Sequence, residues 1–168
     1  MSKILVTYFT QTGNTQKIAE AIYSSIDEEI DIKSVEDTDD VSAYDIVFIG
    51  FPVHAHSVPY PIKQIIESIP LGKKIAFFST HGALTGSRLA REALEYATTL
   101  AIGKKIIGTF SCRGKVSFQA LETLSKSPEH QVWVDMAHSA RTHPDASDIA
   151  DAKTFAGWIM TLIHQERG

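Results

Sequence analysis

Thr10, Gln11, Thr12, Gly13, Asn14 and Thr15 follow an apolar run and precede a helix-like pattern. Hydroxyls and amides donate hydrogen bonds without formal charge. The first turn of a helix leaves backbone N–H groups unpaired at the positive end of its dipole. Together these groups suit a phosphate, and Gly13 allows a tight turn and close approach. A helix cap needs only one such residue, yet here five donors or turn-formers occupy six positions. Other phosphate loops do not match. Gly13 is followed by Asn14 and not by Lys-Ser/Thr, and the three spaced glycines of a dinucleotide fingerprint are absent. No acidic cluster of the receiver-domain kind follows Phe9.

Strands and helices must place this loop. Residues 3–9, 45–51 and 74–79 read as buried strands, 105–111 as a fifth strand, and 31–35 as a short alternating one. Residues 15–26, 59–69, 85–102 and 145–165 carry helical spacing, with Ile18, Ala19, Ile22 and Ile26 on one face of the first. A short helical turn is expected near residues 39–43. This alternation predicts an α/β fold with a parallel sheet between two helical layers, connected right-handedly. Residues 112–144 break the pattern, with short helices expected in "SFQALETLSK" and "PEHQVWVDMAH". This insertion leaves the carboxyl end of the sheet, where ligands of such folds bind.

The 168 residues suggest one domain, 1–168, and no apolar run approaches the roughly 20 residues of a membrane helix. "MSKILVTYF" reads as a strand and not a secretory signal. Cys112 is the single cysteine, so no internal disulfide or multi-cysteine metal site can form. These features point to a cytoplasmic protein. A net charge of −4 argues against a nucleic-acid partner. Eight acids and one lysine in residues 27–40 form either a solvated face or a docking patch for a basic partner.

"TQTGNT" at residues 10–15, directly after the first strand, resembles the phosphate signature of flavodoxins, Ser/Thr-x-Thr-Gly-x-Thr. The resemblance extends over nearly the whole chain. "FSCRGK" (110–115) and "HPDASDIADAKTFA" (143–156) also resemble a bacterial and archaeal subgroup of flavodoxin-like proteins. The resemblance implies a three-layer α/β/α sandwich, a five-stranded parallel sheet of order 2-1-3-4-5, and noncovalent FMN at the switch point. It places the isoalloxazine against "FPVHAHSVP" (51–59) and "STHGAL" (79–84). The implied ring contacts are Pro52, Val53, His54, Ala55, Ser79, Thr80, His81 and Gly82, with Ser79, Thr80 and Gly82 forming a tight polar turn. Flavodoxins often sandwich the ring between Trp and Tyr. Neither loop has one apart from Tyr60, leaving Val53, His54, His56 and His81 as replacements. Residues 51–57 also lack the glycine whose peptide flips toward the reduced ring, which predicts little blue neutral semiquinone.

His54, His56 and His81 admit three readings: metal ligands, flavin contacts or loop residues. Metal is the least favoured, since extended His54 and His56 point to opposite sides. A cationic histidine near flavin N1 would stabilise an anionic reduced ring. His130, His138 and His164 read as surface or packing residues, and His143-Pro144 as a turn before a helix capped by Asp145 or Ser147. Cys112 is read as packing, with a redox role open because a cation at Arg113 would lower its pKa. Arg113 and Lys115 are possible contacts for substrate or partner. Trp133 and Trp158 are read as core.

The leading expectation is an FMN-binding electron-transfer protein serving redox protein partners through the exposed ring edge. The alternatives are an FMN-dependent NAD(P)H:quinone reductase or protoporphyrinogen-oxidase-like flavoenzyme with a small-molecule acceptor, and a flavin-binding regulator.

Overall fold

The computed structural model describes residues 2–53 and 57–167. Five parallel strands form one sheet: β1 (Lys3–Tyr8), β2 (Glu29–Ser34), β3 (Ile46–Pro52), β4 (Lys74–His81) and β5 (Lys105–Arg113), in the order β2-β1-β3-β4-β5. The helices are α1 (Asn14–Ser25), α2 (Tyr60–Ser68), α3 (Arg88–Leu100), α4 (Phe118–Ser125), α5 (Gln131–Ser139) and α6 (Ala146–Arg167).

Alternation along the strands sorts side chains into two cores. Ile4, Val6, Phe48 and Phe78 face Ile18, Ile22, Phe155 and Ile159 of α1 and α6. Leu5, Val47, Ile49 and Phe77 face Ile62, Ile66, Ala93 and Ala97 of α2 and α3. The central strands β3 and β4 are buried almost end to end, which explains their unbroken apolar runs. Phe155 anchors one layer, stacked on Phe110 at 5.5 Å and edge-on to Phe48 at 6.2 Å.

Several boundaries differ from the sequence reading. β4 continues through Ser79 and Thr80 to His81, because Thr80 pairs with Pro52 on one side and Cys112 on the other. Those residues are therefore strand and not turn. β5 likewise extends past residue 111 and takes in Cys112. A 3-10 turn lies at Val35–Asp37, where Thr38 Oγ1 donates to the Ser34 carbonyl, and the expected 39–43 segment holds only a single hydrogen-bonded turn, Tyr44 N–H to the Val41 carbonyl at 3.2 Å. The insertion does contain α4 and α5. Trp133 and Trp158 are not core: they are 43% and 50% exposed. Trp158 lies one position off the buried stripe of α6 and covers Gly108 on edge strand β5. Trp133 stacks flat on His130, with ring centroids 5.3 Å apart.

Candidate flavin site

α1 begins at Asn14 with Gly13 at its N-cap in the left-handed region, φ 90°. No side chain caps this helix, and no acid sits in its first turn. The Thr10 hydroxyl instead accepts from the Gly13 N–H at 3.0 Å, closing the loop on itself. The hydroxyl-rich stretch is thus not a helix cap.

The loop opens onto a cleft of about 210 Å³ at the carboxyl end of the sheet. Gln11, Thr12 and Asn14 line one end; Pro52, Val53, Thr80, His81 and Gly82 line the other. The expected phosphate-side and ring-side residues therefore share one cavity. Thr10 and Gly13 shape the loop, and Thr15 is buried behind it, its hydroxyl 2.9 Å from that of Thr80. Ser79 is fully buried and does not line the cleft. The Val53 N–H donates to the Thr80 carbonyl at 2.9 Å and fixes the two ring-side segments together. His54, Ala55 and His56 lie outside the described residues.

His81 is 5% exposed. Its Nδ1 is 2.9 Å from the Ala83 carbonyl, which can only accept, so Nδ1 carries the proton. Burial lowers its pKa; the Ala83 bond opposes this in part, the charge of Arg113 adds to the lowering, and Asp148 opposes it least. The ring is held neutral, and cannot supply the cation that the sequence suggested for a reduced flavin. Its Nε2 then offers only a lone pair.

Cys112 is 4% exposed, packed in the α1/α6 core, and burial pushes its thiol up to about 12. Arg113 does not activate it, because neighbouring strand residues point to opposite faces. Nor does Arg113 await a substrate. Its guanidinium donates to the carbonyls of Gly82, Ala83 and Met136 and to Ser139 Oγ, riveting the insertion to the end of β4.

The sequence reading missed Gly114, Val116 and Ser117, and left Lys115 unplaced; all four line the cleft. Asn14 Nδ2 donates to the Lys115 carbonyl at 2.9 Å, and the Lys115 N–H donates to the His143 carbonyl at 2.8 Å. The phosphate-type loop and both ends of the insertion are joined there. Closeness is enforced by two glycines: a Cβ at Gly114 would lie 2.7 Å from Asn14 Nδ2, and one at Gly82 would lie 2.2 Å from Val116 Cγ2. The run "CRGK" that opens the insertion was the available signal.

The acidic stretch is largely committed to local bonds. Asp31 accepts from Tyr44 Oη, Glu28 from the Ser2 N–H, Asp37 from Ser34 Oγ and Asp40 from Ser42. Among the described residues, His143, Asp145 and Asp148 are the histidine–carboxylate cluster with metal-like spacing. Their atoms are occupied in capping α6: Asp145 N–H donates to Asp148 Oδ2, Asp148 N–H donates to Asp145 Oδ1, and His143 Nδ1 bonds Asp148.

The residues present fit a flavin mononucleotide. The uncapped end of α1 suits a phosphate. At the end of β4, His81 lines the cleft and its Nε2 is buried without a hydrogen-bond partner, a state that calls for a polar ligand or water.

A 2-1-3-4-5 parallel sheet with a hydroxyl-rich loop after β1 and a cleft above β1, β3 and β4 defines a flavodoxin-like α/β protein. The chain belongs to the flavodoxin domain family, whose match spans residues 5–157. It is 35% identical over 170 residues to the flavodoxin-like domain-containing protein BilS of Clostridioides difficile (strain CD3), covering 94% of this chain and 96% of that protein. In structure it is similar to oxidised Flavodoxin 2 from Bacillus cereus, with TM-score 0.63, 20% identity, and 95% and 99% of the two chains covered. A flavoprotein from Lactobacillus acidophilus NCFM, in complex with FMN, gives TM-score 0.55 at 21% identity, covering 66% of this chain and 93% of that one. No helix among the described residues is long and apolar enough to cross a membrane.

Proposed function

We propose that the protein binds FMN noncovalently in the cleft between the 10–15 loop and the end of β4, and carries electrons between redox protein partners. One observation carries this reading: the uncapped first turn of α1 and the ring-side residues Pro52, Val53, Thr80, His81 and Gly82 line a single cavity. Bound FMN supplies the one- and two-electron chemistry.

The chain's own residues bind and orient. The Thr12 hydroxyl and the N–H groups of the first turn of α1 hold the phosphate dianion. Val53 and Pro52 cover the ring and exclude water. His81, neutral and fixed by Ala83, would offer its Nε2 lone pair as an acceptor to a polar edge of the bound ring. No carboxylate or thiol lines this cleft among the described residues, and burial keeps His81 from taking up a proton near neutral pH. That set favours electron transfer over acid–base turnover.

A second reading, a reductase with its own small substrate, draws on a small apolar pocket of about 120 Å³ beside Gly82, lined by Val116, Leu124, Trp133 and Met136. One assay separates the two. The FMN-loaded protein is mixed with NAD(P)H and a quinone, with and without a flavodoxin reductase. A carrier reduces the acceptor only when the reductase is present. Steady turnover without a second protein would replace the carrier reading with the reductase.

A further inference from the structure

A second cleft, of about 370 Å³, adjoins the flavin cleft and shares Thr12, Asn14, Lys115, Val116 and Ser117 with it. Lys17 of α1, Lys115 before α4 and Arg141 after α5 line this cleft, together with Phe118. We infer that it is a binding site for a nucleoside 5′-phosphate, with the base on Phe118 and the phosphoryl group among Lys17, Lys115 and Arg141. The inference rests on the FMN reading for its neighbour but has its own ligand.

The chemistry of the lining supports both halves. Among the described residues no carboxylate lines the cleft, and neither Lys17 nor Lys115 enters an ion pair. Arg141 spends one Nη1 donor on the His138 carbonyl. His143 also reaches the cleft but is held by Asp148, so the cationic character comes from the other three. In a chain of net charge −4, three such cations around one cavity suit an anion. Phe118 is 78% exposed, although α4 buries none of its residues. An aromatic face beside cations is the arrangement that takes a stacked base and its phosphate. The volume lies within the usual range for small-ligand pockets. The Asn14–Lys115–His143 bonds hold the cleft wall against the phosphate-type loop, so the new phosphoryl site sits beside that of the flavin.

The nucleotide can come from two sources: the adenylate half of FAD, continuous with the flavin phosphate, or a separate nucleotide beside FMN. Calorimetric titration of the FMN-loaded protein with AMP, and of the apo-protein with FMN and FAD, distinguishes them. AMP binding that weakens roughly five-fold or more in Phe118→Ala, and further in Lys115→Gln and Arg141→Gln, supports a separate nucleotide. FAD binding more tightly than FMN, with the advantage lost in Phe118→Ala, supports the joined form. All three positions are exposed, so the variants should fold; circular dichroism checks this. No AMP binding together with no FAD advantage, or affinities indifferent to all three variants, would overturn the inference. Failure of FMN itself to bind would instead overturn the proposed function, and AMP titration of the apo-protein would still decide the second site through Phe118→Ala and Arg141→Gln, which touch the second cleft alone.

Discussion

Thr15 and Thr80 meet hydroxyl to hydroxyl at 2.9 Å, both buried, joining the first turn of α1 to the end of β4. This is a direct link between the phosphate side and the ring side of the cleft. Removing one hydroxyl strands the other in a dry site, at a cost of about 1–3 kcal/mol; removing both costs much less. Thr15→Val and Thr80→Val should each lower unfolding free energy by that amount, and the double variant should recover most of it. Denaturant unfolding of the four proteins measures the coupling. Additive losses would mean that the two hydroxyls do not depend on each other.

The Asn14–Lys115 contact predicts a second effect. Gly114→Ala would place its Cβ 2.7 Å from Asn14 Nδ2 and displace the amide from the Lys115 carbonyl. FMN affinity should fall several-fold, because the loop loses its tie to the insertion. Flavin fluorescence quenching reads this directly, and an unchanged affinity would show that the tie is irrelevant to the cofactor.

Cys112 should behave as an inert core residue. Burial holds the thiol protonated, with its pKa pushed up to about 12, and only the thiolate is the nucleophile. Labelling by a thiol-specific disulfide reagent at pH 8 should be slow in the native protein and complete only after denaturation. Rapid stoichiometric labelling of the folded protein would restore the activated thiol that Arg113 suggested from sequence.

His81 sets a pH dependence with a definite sign. Burial disfavours its imidazolium, so the native state takes up this proton less readily than the unfolded chain. The histidine's contribution is complete well above its ordinary value of 6.5 and is lost as pH falls below it, because the unfolded chain binds a proton that the fold refuses. His81→Gln should therefore flatten the decline in stability between about pH 7 and 5. The other histidines are common to both proteins and cancel in the comparison. Identical pH profiles would mean that His81 titrates freely when folded.

The sequence revealed most where the determinants are local. Hydroxyls around Gly13 and the apolar runs of β1, β3 and β4 are contiguous signals, and they specified the loop, the layers and the strand order by resemblance. Errors arose where distant pairing decides. Cys112 and His81 belong to strands because β4 and β5 extend one another's ladders, which no single segment shows. Trp158 misses the buried stripe of α6 by one position, and a helix over an edge strand leaves that position half open. Lys115 reaches the cleft through a bond to a residue 101 positions away. The Arg113 rivet likewise depends on α5 returning to the end of β4.

The uncapped start of α1 should make flavin binding depend on the phosphate. Titrating the apo-protein with FMN and with riboflavin, by fluorescence quenching, tests it most directly. One FMN should bind per chain, at least ten-fold more tightly than riboflavin, with that preference greatly reduced in Thr12→Ala. Equal affinity for the two flavins, or no flavin binding at all, would contradict it.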